Sequence, residues 1–297
     1  MDDSSDRDPM RRDSSRFEDV ERAVRSVDES PSGSPGPETP TASTEESLLW
    51  TVGTAVALAI GGIIILVITL QVAFGIGNAA GLGFGAGFLI SLASAQITGF
   101  FVLGTIYFRN RGFEPQDIRS YLGVSVPSLR EIGVVIGGYI TLITGIVIFA
   151  SIIAVLNLPE PAGNEGAEPF ANNSELIPPG IVIMFLVVGP AEEFFFRGII
   201  QNRLRERLSV VPAVAAAGVI FAGAHLITLA PGATITAAAI SIALLIPAGI
   251  VLGAVYEYTG NIVVPWLLHS INNSVILTLL LLDDTARESA GLLSTLL

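Results

Sequence analysis

The sequence contains no cysteine and no lysine, and each absence restricts its chemistry. Without cysteine there is no disulfide, no thiolate nucleophile and no cysteine-ligated zinc. All 15 basic residues are arginines, and the chain has 27 acidic residues, so the formal net charge is −12. This balance is typical of adaptation to high salt. It provides no concentrated basic surface, so we expect no nucleic-acid partner.

Long polar stretches are also scarce after residue 47. About half of the residues (51%) are hydrophobic and the mean hydropathy is +0.67, which is too apolar for a soluble protein of this length. Apolar runs of about 20 residues, each long enough to cross a bilayer, recur along the chain. Residues 48–297 are therefore predicted to form an all-α, polytopic transmembrane helical bundle. Its seven predicted spans are roughly 48–74, 81–108, 131–156, 179–200, 210–229, 233–256 and 262–283.

Residues 1–47 differ from the rest of the chain. They hold 13 acidic residues and 6 arginines, and serine, proline and glycine fill much of the remainder. Such a segment cannot bury enough apolar surface to offset the entropy lost on ordering. We predict a disordered acidic tail.

The arginines are distributed unequally among the predicted loops. Seven lie in the 109–130 and 203–207 segments, and the 157–178 loop has none. The positive-inside rule places the Arg-rich loops in the cytoplasm, and with them the N-terminus. We therefore expect a multi-pass protein of the plasma membrane, in contact with lipid.

Two adjacent carboxylates lie in the fourth predicted span, in the motif Glu192-Glu193-x-x-x-Arg197. Glu193 and Arg197 are i,i+4 on one helix face, in the favourable order for an ion pair. Glu192 is rotated by about 100° and lacks that partner. Burial favours its neutral form, which suits it to act as a general base near physiological pH. Taken alone, the motif is equally consistent with a salt bridge at a helix end.

The chain's only two histidines also lie in apolar runs. His225 ends the motif Phe221-x-x-x-His225, and His269 is i,i+4 from Asn273. Interhelical hydrogen bonding is one explanation, but convergence of three helices on one cavity is simpler. In that cavity Glu192 could polarise a water held by His225, while His269 and Asn273 donate to an oxyanion. A metal bound by Glu192, His225 and His269 is the competing interpretation, although the H-E-x-x-H spacing is absent.

The expected depths of these residues disagree. If span four meets the cytoplasm near Ile200, Glu192 lies about 12 Å deep at about 1.5 Å per residue. Counted from Val210, His225 lies about 22 Å deep. Either the helix carrying Glu192 continues into the arginine segment, or the fifth span tilts or starts outside the bilayer. We expect a water-filled, tilted-wall cavity open to the cytoplasm.

In their order along the chain, the three motifs resemble those of the CPBP family (CAAX protease and bacteriocin-processing, also called Abi). The resemblance covers about residues 178–282, as a family-like catalytic core. It implies an intramembrane endopeptidase of the glutamate type, which hydrolyses a peptide bond of a membrane-associated protein or peptide. Eukaryotic members of the family trim prenylated CAAX proteins.

The resemblance also implies roles for individual residues. Glu192 would be the water-activating base and His225 its assistant. His269 and Asn273 would be the oxyanion donors. Glu193 and Arg197 would be structural or electrostatic. No cofactor is implied, and a divalent metal stays the alternative.

Two other functions remain open. Prokaryotic relatives include bacteriocin-immunity and regulatory proteins, so a non-catalytic membrane scaffold on the same fold is one alternative. A transporter with the paired glutamates as a proton relay is another. The two halves of the sequence show no repeat of charged or broken helices, which disfavours a transporter.

Overall fold

The computed structural model describes residues 47–229 and 231–296, with side chains as far as residue 282. All but the last residue of the predicted acidic tail lies outside this range. Within the described residues no strand occurs, and a single antiparallel bridge joins Asn164 and Leu229. Seven of the described helices are long and apolar enough to cross a membrane. The predicted all-α polytopic bundle is therefore confirmed.

We number these helices as spans one to seven, in chain order. They are Leu48–Ala79, Phe84–Asn110, Leu129–Val155, Ser174–Arg205, Val210–Thr228, Ile235–Thr259 and Val263–Leu282, and the last continues as helix to Leu296. Two short helices, Pro115–Tyr121 and Glu168–Ala171, lie in the connections after spans two and three. Span four departs most from its prediction, because it extends five residues further at each end than 179–200.

Span four contains two π-helical turns. It is π-helical at Met184–Val188 and again at Phe196–Gln201, and α-helical at Gly189–Phe195 between them. The two adjacent glutamates lie in the middle, α-helical part. Turns of π-helix inside longer helices are frequent at functional sites, because they leave backbone groups without their regular partners.

Span seven donates two side-chain hydrogen bonds to backbone carbonyls of the first π-turn. Pro190 has no amide hydrogen, so the helical ladder is interrupted just before the glutamates. Trp266 donates from Nε1 to the carbonyl of Phe185 (2.6 Å), and Ser270 donates from Oγ to the carbonyl of Met184 (3.0 Å). These two bonds hold span seven against the segment that precedes the glutamates.

Aromatic packing anchors span four against spans one and two. Phe195 and Phe196 are buried, and the ring of Phe100 stacks on Phe195 with 4.8 Å between centroids. Span one approaches this cluster through Gly62, where an added Cβ would lie 2.9 Å from the Phe195 ring. The phenylalanines are thus core residues that fix the position of the neighbouring glutamates.

The end of the bundle that carries the arginine-rich connections, here called the Arg-rich end, is closed by packing. Asn261, in the turn between spans six and seven, is buried and donates to the Ser125 carbonyl (3.2 Å) and to Glu131 Oε1 (3.1 Å). Gly123 has φ +65°, and a Cβ there would lie 1.7 Å from the carbonyl oxygen of Gly260. The connection between spans two and three therefore covers the turn into span seven.

Candidate active site

A buried ion pair lies behind the site. Glu193 and Arg197 are 0% and 1% exposed, with 3.1 Å between Glu193 Oε2 and Arg197 Nε. Arg197 also donates from Nη2 to the Gly249 carbonyl (3.2 Å), and its guanidinium carbon lies 4.5 Å from the centroid of the Phe221 ring. The i,i+4 spacing predicted this pair. Its burial means that each charge depends on the other, since neither can be hydrated.

His269 joins the same pair from span seven. Its Nδ1 lies 2.7 Å from Glu193 Oε1, and its side chain is 6% exposed. Because an ionised carboxylate can only accept, Nδ1 carries the hydrogen. The Nε2 atom then points to Glu192, whose Oε2 is 3.8 Å away. That distance is too long for a direct hydrogen bond, but one water can bridge the two atoms.

Glu192 is held by a residue that the sequence analysis missed. Gln96, in span two, is 5% exposed and donates from Nε2 to Glu192 Oε1 (3.0 Å). The Glu192 side chain itself is 12% exposed, so it is partly accessible where Glu193 is not. The available signal for Gln96 was a polar residue in an apolar run. Gln71 in span one gives the same signal without such a contact, and the sequence could not distinguish the two.

His225 is positioned by the end of a helix. The α-helix of span five stops at Ala224, and a 3₁₀ turn begins at His225. The backbone N–H of His225 bonds to the carbonyls of Ala222 and Gly223, and the Phe221 carbonyl lies 2.9 Å from His225 Nδ1. Since a carbonyl can only accept, Nδ1 carries the hydrogen here too. In the neutral ring Nε2 is then an acceptor.

The depth disagreement between Glu192 and His225 is resolved by the length of span four. The helix continues to Arg205, 13 residues after Glu192, and so places Glu192 about 20 Å from that end. His225 is 15 residues from Val210, or about 22 Å. Of the predicted explanations, continuation of the helix into the arginine segment is the one observed. Arg205 is accommodated there by Glu257, 3.2 Å from its Nε.

Asn273 lies one helical turn from His269. Its Nδ2 is 3.9 Å from the sulfur of Met184, and its Oδ1 is 3.5 Å from the amide nitrogen of Asn272. Both contacts are long for hydrogen bonds. The amide can therefore exchange them for a stronger acceptor in a bound molecule.

Two cavities meet at Glu192 and His225. Cavity A, of about 270 Å³, lies between spans two to seven, and its charged and strongly polar lining comprises Asn164, Glu192, His225, His269, Asn272 and Asn273. Cavity B, of about 400 Å³, lies between spans one, two, four and five and has a largely apolar lining. The structure thus brings four predicted site residues to cavity A and places Glu193 and Arg197 behind them.

Both cavities extend to the end of the bundle opposite the Arg-rich end. Both cavities are lined by residues of the connection after span three, such as Gly166, which lies at the end opposite the arginine-rich connections. None of the lining residues belongs to a connection at the Arg-rich end. The predicted cytoplasmic N-terminus and the predicted opening of the site to the cytoplasm both stay predictions.

The competing interpretation of these residues is a metal ion bound by Glu192, His225 and His269. Among the described residues, no group of three or more histidine and acidic side chains is arranged to hold a metal ion. His269 has one ring nitrogen engaged by Glu193, and Glu192 has one oxygen engaged by Gln96. The donor atoms that these contacts leave for a metal are Glu192 Oε2 and the Nε2 atoms of His225 and His269.

Residues 174–275 match a family model described as type II CAAX prenyl endopeptidase, Rce1-like. The match begins at the start of span four and includes all six candidate residues. It confirms the family resemblance inferred from the three motifs and supports membrane-embedded protease chemistry for this segment. Spans one to three, with Gln96, lie outside the match. The chain has no significant match among curated proteins or solved structures.

Proposed function

We propose that this protein is an intramembrane endopeptidase that hydrolyses a peptide bond of a membrane-associated protein or peptide. The observation that carries the proposal is the state of Glu192. One of its carboxylate oxygens is held by Gln96, and the other is unpartnered toward His269 at the edge of a cavity. A positioned carboxylate with one free oxygen is what a general base requires.

The first step is attack by water. Glu192 Oε2 takes a proton from a water in cavity A, and the resulting hydroxide attacks the carbonyl carbon of the scissile bond. His225 Nε2, the acceptor atom of its ring, takes a hydrogen bond from the same water and holds it. This assignment follows from the hydrogen bond of His225 Nδ1 to the Phe221 carbonyl.

The second step is collapse of the tetrahedral intermediate. The C–N bond breaks, and the proton held by Glu192 passes to the departing amine, so the carboxylate is regenerated. Asn273 donates from Nδ2 to the oxyanion. Preorganised donors of this kind commonly contribute about 3–4 kcal/mol each.

His269 can donate to the oxyanion in one charge state. Its Nδ1 hydrogen is used by Glu193, so Nε2 carries a hydrogen only when the ring is an imidazolium. With His269 charged, the two carboxylates of Glu192 and Glu193 are balanced by His269 and Arg197, and the buried set is neutral. The Glu193–Arg197 pair therefore orients His269 from behind.

The substrate class, the cellular membrane and the orientation of the protein are also part of the proposal. The description of the matched family model points to prenylated CAAX-type carboxyl termini, and cavity B is apolar enough to admit a lipid chain or apolar side chains. We place the protein in the plasma membrane, and the distribution of arginine supports a cytoplasmic N-terminus.

The test is cleavage by the purified protein in liposomes against a library of membrane peptides. We expect Glu192→Ala, His225→Ala and His269→Ala each to abolish cleavage while the protein still inserts. Glu160→Ala, a change at an exposed loop residue, is the matched control and keeps full activity. Retained cleavage in Glu192→Ala would contradict the proposal. Loss of activity in chelator alone would instead support the metal mechanism.

A further inference from the structure

We propose that Asn272 and Asn164 bind the backbone of the substrate in cavity A and hold it in extended form for about two or three residues on one side of the scissile bond. Asn272 Oδ1 accepts a hydrogen bond from a substrate N–H, and Asn164 Nδ2 donates one to a substrate carbonyl. This inference rests on the proposed endopeptidase function for the identity of the ligand, a peptide. Neither residue takes part in the two chemical steps described above.

Asn272 lines cavity A without a strong partner, three residues after His269 on span seven. Its Nδ2 lies 3.5 Å from Asn273 Oδ1, and its side chain forms no other hydrogen bond with the described residues. The free atom is therefore Oδ1, which can accept two hydrogen bonds. In a cavity whose lining is largely aliphatic, an unpaired amide oxygen favours a ligand that brings a donor. Every peptide group except that of proline brings one.

Asn164 lines the same cavity from the connection between spans three and four. Its Oδ1 accepts a hydrogen bond from Gly166 N (2.9 Å), so Nδ2 is the part of the side chain left to donate to a ligand. The connection is fixed to the end of span five by the hydrogen bond from Glu165 N to the Thr228 carbonyl (2.8 Å) and by the bridge between Asn164 and Leu229. Because Asn164 is held in place before a ligand arrives, less entropy is lost on binding.

The spacing of these residues along the bundle fits an extended peptide. Spans five and seven run in the same direction from the Arg-rich end, so distances along them can be compared. Asn272 lies about 4.5 Å beyond His269 in an α-helix. Thr228, beside Asn164, lies about 6 Å beyond His225 in a 3₁₀ turn. Since an extended chain advances about 3.3 Å per residue, Asn272 is level with the first or second residue from a bond held between the histidines, and Asn164 with the second or third.

The side chains around this path carry little information about sequence. Spans three, six and seven line cavity A with aliphatic residues such as Leu142, Leu245 and Ile276. They accept apolar side chains of many shapes and offer no partner to a charged one. Recognition on this side of the scissile bond therefore depends on the substrate backbone, and a residue that lacks an N–H is a poor ligand there.

The test measures binding to the full chain with Glu192→Gln in liposomes, so that the ligand is not consumed. A fluorescent peptide is selected from a randomised library by its binding to this variant. Two series of analogues follow, one with a single N-methyl group at successive positions and one with a single thioamide, whose sulfur is a weaker acceptor than oxygen. Each analogue is measured before and after the further changes Asn272→Leu and Asn164→Ala. Thr278→Val, on the same span as Asn272, and Asn172→Ala, in the same connection as Asn164, are controls at exposed residues that line neither cavity.

We expect one N-methyl group to weaken binding about fivefold to a hundredfold, the typical effect of a buried polar group left unpaired. This penalty should disappear in Asn272→Leu and persist in Thr278→Val. One thioamide should lose its penalty in Asn164→Ala and keep it in Asn172→Ala. Such coupling between a substrate group and a side chain indicates direct contact, which a merely structural role would not produce.

The backbone site and the proposed function fail in different ways. Equal N-methyl penalties with and without Asn272→Leu, or equal thioamide penalties with and without Asn164→Ala, overturn the role of that residue. The absence of any peptide that binds overturns the site as a whole. The expected coupling, without cleavage of the same peptide by the wild-type protein, overturns the endopeptidase and leaves the backbone site supported.

Discussion

Replacing Arg197 by methionine should be among the most destabilising single changes in this protein. The substitution leaves Glu193 at 0% exposure without its guanidinium partner, and only the His269 ring stays in contact with it. Removing one partner of a buried ion pair typically costs about 3–5 kcal/mol of unfolding free energy, because an uncompensated charge stays in the interior. Because about 1.4 kcal/mol corresponds to a tenfold change in an equilibrium constant, the unfolding constant should rise roughly a hundredfold to a few thousandfold. Loss of the contact with the Phe221 ring adds to this change.

The measurement is thermal or denaturant unfolding of the purified protein in detergent, with two comparisons. Arg109→Met is the matched control, because Arg109 and Glu114 form an exposed pair at 3.7 Å and such pairs contribute at most about 1 kcal/mol. The double change Glu193→Gln with Arg197→Met should cost clearly less than the sum of the two single changes, since it leaves no unpaired charge. Equal losses for Arg197→Met and Arg109→Met, or simple additivity in the double variant, would refute this account of the pair.

Three further predictions concern positioning, packing and salt. Gln96→Leu should lower the cleavage rate by about tenfold to a hundredfold, the typical effect of losing a hydrogen bond to a charged group, with unchanged insertion. Gln71→Leu, in the wall of cavity B, serves as its control, and equal rates in the two variants would remove Gln96 from the mechanism. Gly249→Ala should lower thermal stability by about 1–3 kcal/mol, because its Cβ would lie 2.8 Å from the backbone of span five, whereas Gly137→Ala meets nothing within 4 Å and should be neutral. Dilution from about 1 M to 0.1 M salt should lower the melting temperature, because the screening length grows from about 3 to 10 Å and the acidic charges repel more strongly; a flat salt response would contradict adaptation to high salt.

The spans were the most predictable part of the structure. Apolar runs long enough to cross a bilayer located all seven, because length and hydropathy decide membrane insertion. The ends of span four were not predictable from hydropathy. Arg205 looks like a boundary in the sequence, but Glu257 of another helix pairs with it and the helix continues. The depth disagreement around Glu192 followed from that one misplaced end.

Within the site, the contact inside one helix could be predicted from the sequence, whereas the contacts between helices could not. The Glu193–Arg197 pair could be read from i,i+4 spacing, because it lies within one helix. The hydrogen bond from Gln96 to Glu192 joins residues 96 positions apart, and no local pattern distinguishes Gln96 from Gln71. The wall that the connection after span three adds to both cavities was likewise unpredictable, since it depends on how that connection folds back over span five.

The most direct test of the central claim is the rate at which Glu192→Gln cleaves a substrate of the wild-type protein in liposomes. The amide keeps the shape of the carboxylate and can still pair with Gln96, but it cannot take a proton from water. General-base catalysis typically contributes about 10²–10⁴ in rate, so we predict a loss of at least a hundredfold with normal insertion. A rate within a few fold of the wild type would show that another group activates the water.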